Sequence, residues 1–265
     1  MSDSKELVLV IGGTGKTGRR VVERLERQGV PVRSVSRSSD PRFDWGDPST
    51  WAPAVEGVTS AYVTYYPDLA FPGAADDVRA FAQVAVAAGV QHLVVLSGRN
   101  EPGAVLGEEA VQESGADWTI VRSSFFAQDF SEHFLVDDVR NGVVAFPGGD
   151  TSEPFIDVDD IADVVVAALT DPKHRGQLYE VTGREIQYIP IAAEDYGAAA
   201  IEAGMPPEEA EPFAEFLGEI FDGRSEYTAD GVQRALGRAP RDFAEYARDA
   251  AATGVWDVTN EGEVQ

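Results

Sequence analysis

The sequence predicts an α/β fold built on a doubly wound parallel sheet, with a small, mostly helical C-terminal lobe. Strand-like apolar runs alternate with helical segments from the N-terminus to about Gly142. This order is typical of parallel sheets that are covered by helices on both faces. Beyond that point the alternation fades, and an acidic, alanine-rich region over residues 196–256 has the spacing of helices.

A glycine-rich loop follows the first predicted strand. Its glycines have the spacing Gly12-x-x-Gly15-x-x-Gly18, and a helix is predicted next, over residues 19–28. In such a unit the loop amides and the positive end of the helix dipole face one point, where a pyrophosphate can bind. A P-loop is disfavoured because Val10 stands where that motif needs its first glycine. Glycines that serve only a tight turn are the remaining alternative.

This strand, loop and helix also set the domain prediction. Together they begin a βαβ unit of the Rossmann type, although the glycine spacing differs from the standard G-x-G-x-x-G. We predict a dinucleotide-binding Rossmann domain over residues 1–150. A smaller lobe for substrate or partner is predicted over residues 151–265, interleaved with the first domain and packed on it. At Gly15 we expect a positive φ and a close approach of the pyrophosphate.

An arginine after the second predicted strand, residues 31–36, indicates which dinucleotide binds. About 20 positions past the glycine fingerprint, an acidic residue accepts the ribose 2′-hydroxyl of NAD, whereas an arginine suits the 2′-phosphate of NADP. Arg37 stands there, with Ser36 and Ser38 as further donors. The sequence therefore favours NADP(H), and a solvated arginine at a strand end is the alternative.

The remaining elements follow from periodicity and turn residues. Further strands are predicted at residues 42–45, 60–65, 93–96, 118–121, 143–146 and 155–158. Helices are predicted at residues 74–88, 105–113 and 160–170, with Asp47 and Asp159 as N-caps. Asp157, Asp159 and Asp160 resemble paired catalytic carboxylates. Helix capping and the interaction of carboxylates with the helix dipole explain them more simply.

The composition argues against several classes of function. The chain has no cysteine, which excludes disulfides and a thiol nucleophile, and its three histidines lack ligand spacing, so we predict no metal. A net charge of −25 argues against direct nucleic-acid binding. No apolar run approaches the roughly 18 residues of a membrane span, and no signal region is present at the start, so we expect a cytoplasmic protein without membrane partners.

Several segments together resemble one family. GGTGKTGRRVVERL, VVLSG, DWTIVRSSFFAQDF, EPFIDVDDIADVVVAAL and LYEVTG are similar to the NmrA-like group of atypical short-chain dehydrogenases/reductases. The resemblance implies a Rossmann-type domain that binds NADP(H) and a small C-terminal lobe. It implies either a reductase of quinones, azo dyes or phenylpropanoid-like compounds or a non-catalytic redox sensor.

The resemblance also implies functions for individual residues. Cofactor contacts are expected at Gly12, Gly13, Thr14, Gly15, Lys16, Thr17, Gly18, Arg37, Trp45, Asp47, Tyr65 and Ser97. The resemblance places Ser97 beside the nicotinamide, and Phe125 and Phe126 fall on the substrate side. Independently of the resemblance, Ser97 and Tyr66 are the catalytic residues that we expect, as weak proton donors. The chain departs from the family pattern in two places: Asp129 replaces an asparagine, and about 20 residues are missing after Gly183.

The lysines narrow the predicted chemistry. A sugar-nucleotide epimerase needs a Tyr-x-x-x-Lys pair, and none of Lys5, Lys16 and Lys173 follows a tyrosine by four. We predict a reductase that transfers hydride from NADPH to a small quinone-like or activated carbonyl or enone acceptor, with a weak proton donor. A non-catalytic NADP(H) sensor is the alternative. A homodimer or a regulatory protein partner is compatible with either.

Overall fold

The structure, a computed structural model, groups the chain into two compact units. It describes residues 6–132, 135–142, 144, 152–182, 185–187, 198, 201, 205–220 and 223–257. The first unit comprises Met1–Ser123, Val158–Thr182 and Ala229–Pro240, and the second comprises Ser124–Asp157, Gly183–Thr228 and Arg241–Gln265. The predicted boundary between residues 150 and 151 lies outside the described residues, and the division there stays a prediction.

A parallel sheet of six strands forms the centre of the first unit. The described strands are β1 (Val8–Ile11), β2 (Val32–Val35), β3 (Ser60–Val63), β4 (His92–Gly98), β5 (Asp117–Ser123), β6 (Ser152–Pro154), β7 (Gln177–Val181) and β8 (Glu185–Gln187). The order in the sheet is β2-β1-β3-β4-β5-β7, and β6 pairs with β8 in the second unit. The chain leaves β1 for β2 on one side and returns to β3 on the other. Ligands bind at such a switch point, beyond the carboxyl ends of the strands.

Helices cover both faces of this sheet, which confirms the predicted fold class. The described α-helices are α1 (Lys16–Arg27), α2 (Trp51–Val55), α3 (Ala74–Ala87), α4 (Pro102–Gln112), α5 (Asp129–Glu132), α6 (Val136–Asn141), α7 (Val158–Thr170), α8 (Pro207–Ile220), α9 (Gly231–Leu236) and α10 (Phe243–Ala252). Ala61 and Val63 pack with Phe81 of α3. Tyr62 between them faces the other way and donates to Thr17 of α1 at 3.0 Å. Alternate residues of β3 therefore serve opposite layers.

The second unit has its own aromatic core. The ring of Phe130 lies 5.1 Å from that of Phe155 and 5.5 Å from that of Phe243, and the latter two rings are 6.0 Å apart. Trp256 donates its indole N–H to the carbonyl of Phe130 at 2.6 Å, and Tyr246 of α10 donates its hydroxyl to Ser131 at 2.6 Å. These contacts attach α10 and the residues after it to Phe130 and Ser131. The helices α8, α9 and α10 confirm that the C-terminal portion is helical as predicted.

The predicted strand over residues 42–45 is wrong. Its backbone is engaged locally: the amide of Asp44 donates to the hydroxyl of Thr50 at 3.0 Å. Phe43 and Trp45 make an edge-to-face contact at 5.0 Å within the core. The two aromatic side chains thus pack from an irregular segment and not from a strand.

The start of α7 also differs from the prediction. Residues 155–158 were expected to form a strand, but only Ile156 makes an isolated bridge, to Phe126. The helix already begins at Val158. Asp159 therefore lies in its first turn and is not its N-cap.

Two further predictions fall mainly outside the described residues. The strand at residues 143–146 is described only at residue 144, and the region that follows Gly183 is described only in part. No helix within the described ranges is long and apolar enough to cross a membrane.

Candidate functional site

The glycine loop at the end of β1 packs against its own backbone. Gly12 has φ +69°, and a Cβ there would lie 2.7 Å from the hydroxyl of Thr64. The amide of Gly15 donates to the carbonyl of Gly12 at 2.8 Å. A Cβ on Gly18 would collide with that same carbonyl, and one on Gly13 would collide with the Ser34 side chain. The loop therefore forms a tight cradle that leaves no room for a side chain at Gly12, Gly13 or Gly18.

Gly15 differs from our expectation. Its φ is −75° and its ψ 175°, so the positive φ of the loop belongs to Gly12 instead. The reversal of the chain directly after β1 requires that conformation at Gly12. A Cβ on Gly15 would meet the carbonyl of Gly12 at 3.2 Å, and the residue is exposed. A larger side chain at Gly15 would thus project away from the loop, into the open space in front of α1.

The start of α1 suits an anion. Gly15 is its N-cap and makes no side-chain capping bond, and the first turn holds no acidic residue. The positive end of the helix dipole is therefore not offset by a carboxylate in that turn. Thr14 is exposed, whereas Thr17 is buried against Tyr62. The cradle and the helix start together fit the pyrophosphate of a dinucleotide.

Thr64 connects the loop to the adjacent strand end, and sequence reasoning missed it. Its hydroxyl donates to the carbonyl of Ile11 at 3.0 Å, and its carbonyl accepts the indole N–H of Trp45 at 3.0 Å. Thr64 directly follows β3, next to the switch point of the sheet, and this position could have indicated its contact with the loop.

Trp45 and Tyr65 form one wall near the end of β3. Their ring centroids are 4.9 Å apart, and the hydroxyl of Tyr65 donates to Asp77 at 2.6 Å. Burial raises the pKa of Tyr65 above its usual value, and the bond to Asp77 raises it further. Tyr65 therefore stays protonated at neutral pH. An aromatic wall of this kind can flank an adenine ring.

Asp47 acts as a helix cap in this structure. Its carboxylate accepts from the amide of Ser49 at 3.2 Å and from the Ser49 hydroxyl at 2.6 Å. These hydrogen bonds hold the pKa of Asp47 below its usual range. The predicted cap is thus confirmed, and its predicted cofactor contact stays a prediction.

Arg37 and Tyr66 lie together on the surface at the carboxyl ends of β2 and β3. The guanidinium carbon of Arg37 is 5.3 Å from the centre of the Tyr66 ring, which is 72% exposed. Among the described residues, no carboxylate lies within salt-bridge distance of Arg37. An exposed arginine without a carboxylate partner is available for a phosphate group.

Ser97 is buried and belongs to a charged network. Its hydroxyl donates to Glu108 of α4 at 2.6 Å, and Arg122 donates to the same carboxylate at 2.7 and 2.5 Å. Ser97, Arg122 and Glu180 are neighbours in the register of β4, β5 and β7. The side chain of Ser97 is thus directed at α4. Its predicted catalytic and cofactor roles stay predictions.

Sequence reasoning missed Glu108 as well. It is 2% exposed and lies on the buried side of α4, between Ala104 and Val111. A glutamate three or four residues from buried apolar positions is a signal for a buried charge that needs a partner.

Phe125 and Phe126 belong to the second unit. The carbonyl of Phe125 accepts from the amide of Ile156 at 2.9 Å, and its ring lies 5.9 Å from that of Phe155. Both phenylalanines are half-buried, and Asp129 begins α5. Their predicted contact with substrate stays a prediction.

Arginines account for the aspartates near α7. Asp157 bonds to Arg241 at 2.9 Å, and Asp160 to Arg238 at 2.5 Å. Asp159 pairs with Arg24 at 2.7 Å. These pairs are structural in character. In the part of the chain that the structure describes, no group of three or more metal-ligating side chains is present.

The chain is similar to known proteins in sequence and in fold. No family model matches the chain. The NAD(P)H azoreductase of Xenophilus azovorans is 31% identical over 293 residues, covering 93% of this chain and 98% of that relative.

Two solved structures have the same fold. The triphenylmethane reductase of Citrobacter sp., in complex with NADP(H), has a TM-score of 0.79 and 17% identity, covering 92% of this chain and 99% of its own. An NADPH-dependent quinone oxidoreductase of Escherichia coli, in complex with NADPH, has a TM-score of 0.76 and 18% identity, covering 91% and 99%. At these identities the likeness is one of fold.

Proposed function

This chain belongs to the NmrA-like family of atypical short-chain dehydrogenases/reductases, and we propose that it is an NADPH-dependent reductase of a small quinone-like or activated carbonyl or enone acceptor. The observation that carries the proposal is the glycine cradle at the switch point, next to a helix start without acidic residues. The activities for which these relatives are named support the acceptor class, because azo compounds, triphenylmethane dyes and quinones are all conjugated electrophiles.

In the proposed cofactor site, two groups of residues bind two different parts of the cofactor. The loop from Gly12 to Gly18 holds the pyrophosphate through backbone amides and the helix dipole. Arg37 binds the 2′-phosphate through charge-assisted hydrogen bonds. On a protein with a net charge of −25, affinity for this anionic cofactor must come from such local groups. Bound NADPH would supply the hydride.

The proton that completes the reduction needs no strong acid from the protein. The hydroxyl of Ser97 already donates a hydrogen bond to the carboxylate of Glu108. Tyr66 adjoins Arg37, so it lies toward the adenosine end of a cofactor whose 2′-phosphate Arg37 binds. A quinone or enone spreads the negative charge that hydride transfer creates, and a weak donor or water is then sufficient. Simple ketones lack this advantage.

An acceptor panel with saturating NADPH tests this function. We expect loss of absorbance at the nicotinamide band with quinones, azo dyes or enones, and rates at least about a hundredfold lower with unactivated ketones. Ser97→Ala should slow turnover by less than about a hundredfold. If calorimetry shows that NADPH binds but no acceptor turns over, the reductase proposal is wrong and the non-catalytic sensor gains support.

A further inference from the structure

We propose that Tyr66 is a positioning residue that holds the guanidinium of Arg37 ready for the 2′-phosphate and thereby strengthens the preference for NADPH over NADH. The inference rests on the proposed cofactor site. It assigns Tyr66 to cofactor selection, in place of the role as a weak proton donor that we expect for it from the sequence.

The geometry of the pair is the first argument. The guanidinium carbon of Arg37 lies 5.3 Å from the centre of the Tyr66 ring, within the roughly 6 Å range of a cation–π contact. Such a contact restrains the cation without a carboxylate. The N–H groups of the guanidinium can therefore still form paired hydrogen bonds to a phosphate.

The rigidity of the loop that carries Arg37 is the second argument. The amide of Ser36 donates to the hydroxyl of Ser39 at 2.7 Å, and that hydroxyl contacts the carbonyl of Pro41 at 2.7 Å. The backbone around Arg37 is thus fixed, so most of the freedom that binding must remove belongs to the long arginine side chain. A ring that already restrains this side chain lowers the entropic cost of binding.

The chemical nature of the partner is the third argument. Other arginines in this acidic protein pair with carboxylates, such as Arg24 with Asp163 at 2.6 Å and Arg122 with Glu108 at 2.5 Å. A carboxylate beside Arg37 would compete with the 2′-phosphate for the same N–H groups. The Tyr66 ring restrains the cation without neutralising it. Tyr66 is also 72% exposed, so core packing does not explain its position.

A double-mutant cycle on cofactor affinity tests this inference. Kd values for NADPH and NADH are measured by calorimetry on the wild type, Tyr66→Leu, Tyr66→Phe, Arg37→Ala and the Tyr66→Leu/Arg37→Ala double variant. We expect Tyr66→Leu to weaken NADPH by about twofold to fivefold and to leave NADH nearly unchanged. Tyr66→Phe should retain the wild-type values, since the ring and not the hydroxyl contacts Arg37. In the Arg37→Ala background, Tyr66→Leu should have no further effect.

The possible failures are distinguishable. If Tyr66→Leu weakens NADPH and NADH equally, or acts equally with and without Arg37, this inference is overturned and the cofactor site stands. If Tyr66→Phe is as harmful as Tyr66→Leu, the hydroxyl is the active group and the inference is again overturned. If the wild type shows no preference for NADPH, both the inference and the proposed cofactor site are wrong. Thermal unfolding midpoints confirm that each variant is folded.

Discussion

Two helices that flank the same sheet begin in opposite ways. α7 has Asp159 and Asp160 in its first turn, and both are paired with arginines. α1 begins after Gly15, with no side-chain cap and no acidic residue in its first turn. One helix dipole is therefore matched by carboxylates of the protein itself, whereas the other is suited to an anion from outside. The residue types at a helix start thus distinguish a structural terminus from a binding terminus.

The largest expected effect comes from filling the space at the start of α1. Gly15→Val should weaken NADPH binding by more than about a hundredfold, because the side chain would occupy the path of the pyrophosphate. The fold should survive, since φ at Gly15 is −75°. Calorimetry and thermal unfolding measure the two effects.

Ala87→Val is a suitable control for that variant, because it adds the same side chain away from the proposed site. Ala87 is exposed at the end of α3, just before β4 begins. The NADPH affinity of this control should equal that of the wild type. Full NADPH binding by Gly15→Val would mean that the glycines serve only the turn.

The opposite, amino-terminal edge of the sheet is filled by the protein's own groups, and its stability should depend on pH. His92 is 2% exposed, with Nε2 2.9 Å from the hydroxyl of Thr119, and burial lowers its pKa to about 4. The folded-state pKa is below the unfolded value of 6.5, so the unfolded chain binds the proton first. The stabilising contribution of neutral His92 is fully present above pH 6.5. The free energy of unfolding should fall by about 3 kcal/mol as the pH decreases toward 4.

Urea unfolding of wild type and His92→Gln over this pH range checks the expectation. The glutamine cannot titrate, so the variant should lose less stability between pH 6.5 and pH 4. An equal loss in both proteins would show that other groups cause the acid sensitivity.

Breaking an ion pair at the start of α7 should affect stability and spare the cofactor. Asp160→Ala leaves Arg238 without this partner, and we expect a loss of about 1 to 3 kcal/mol in the free energy of unfolding. Asp76→Ala, in the exposed first turn of α3, should cost less than about 1 kcal/mol. NADPH affinity should be unchanged in both. A marked loss of NADPH affinity in Asp160→Ala alone would contradict the structural assignment of α7.

A smaller effect than that of Gly15→Val is expected from making the start of α1 resemble that of α7. Thr14 is exposed in the loop before α1, so Thr14→Asp places a carboxylate near the proposed pyrophosphate position. We expect NADPH and NADH to bind about tenfold more weakly, whereas Thr14→Asn should change affinity less because it adds no charge. Equal affinities for Thr14→Asp and wild type would place the anion elsewhere.

Local features of the sequence predicted most of the fold, including the glycine loop after β1. The glycine spacing and the end of the second strand predicted the loop and Arg37, because backbone sterics and strand order act over short distances. The prediction of a strand at residues 42–45 was wrong because Phe43 and Trp45 pack with the hydrophobic core from an irregular segment. Aromatic content alone does not separate these two cases.

The environment of Ser97 could not be predicted in the same way. Its partner Glu108 comes from α4, and the arginine that shares that carboxylate comes from β5. Only the tertiary packing brings these three elements together. The contact between Arg37 and Tyr66 likewise joins the ends of two strands that are adjacent to β1 on opposite sides. Sequence analysis predicted the residues but not their mutual geometry.

Calorimetric titration of NADPH and NADH into the wild type and Arg37→Ala tests the central claim most directly. Each charge-assisted hydrogen bond to the 2′-phosphate is worth roughly 1.5 to 3 kcal/mol, so the wild type should bind NADPH at least about tenfold more tightly than NADH. Arg37→Ala should bind the two cofactors with nearly equal affinity. Equal affinities in the wild type, or a preference that survives in Arg37→Ala, would contradict the account.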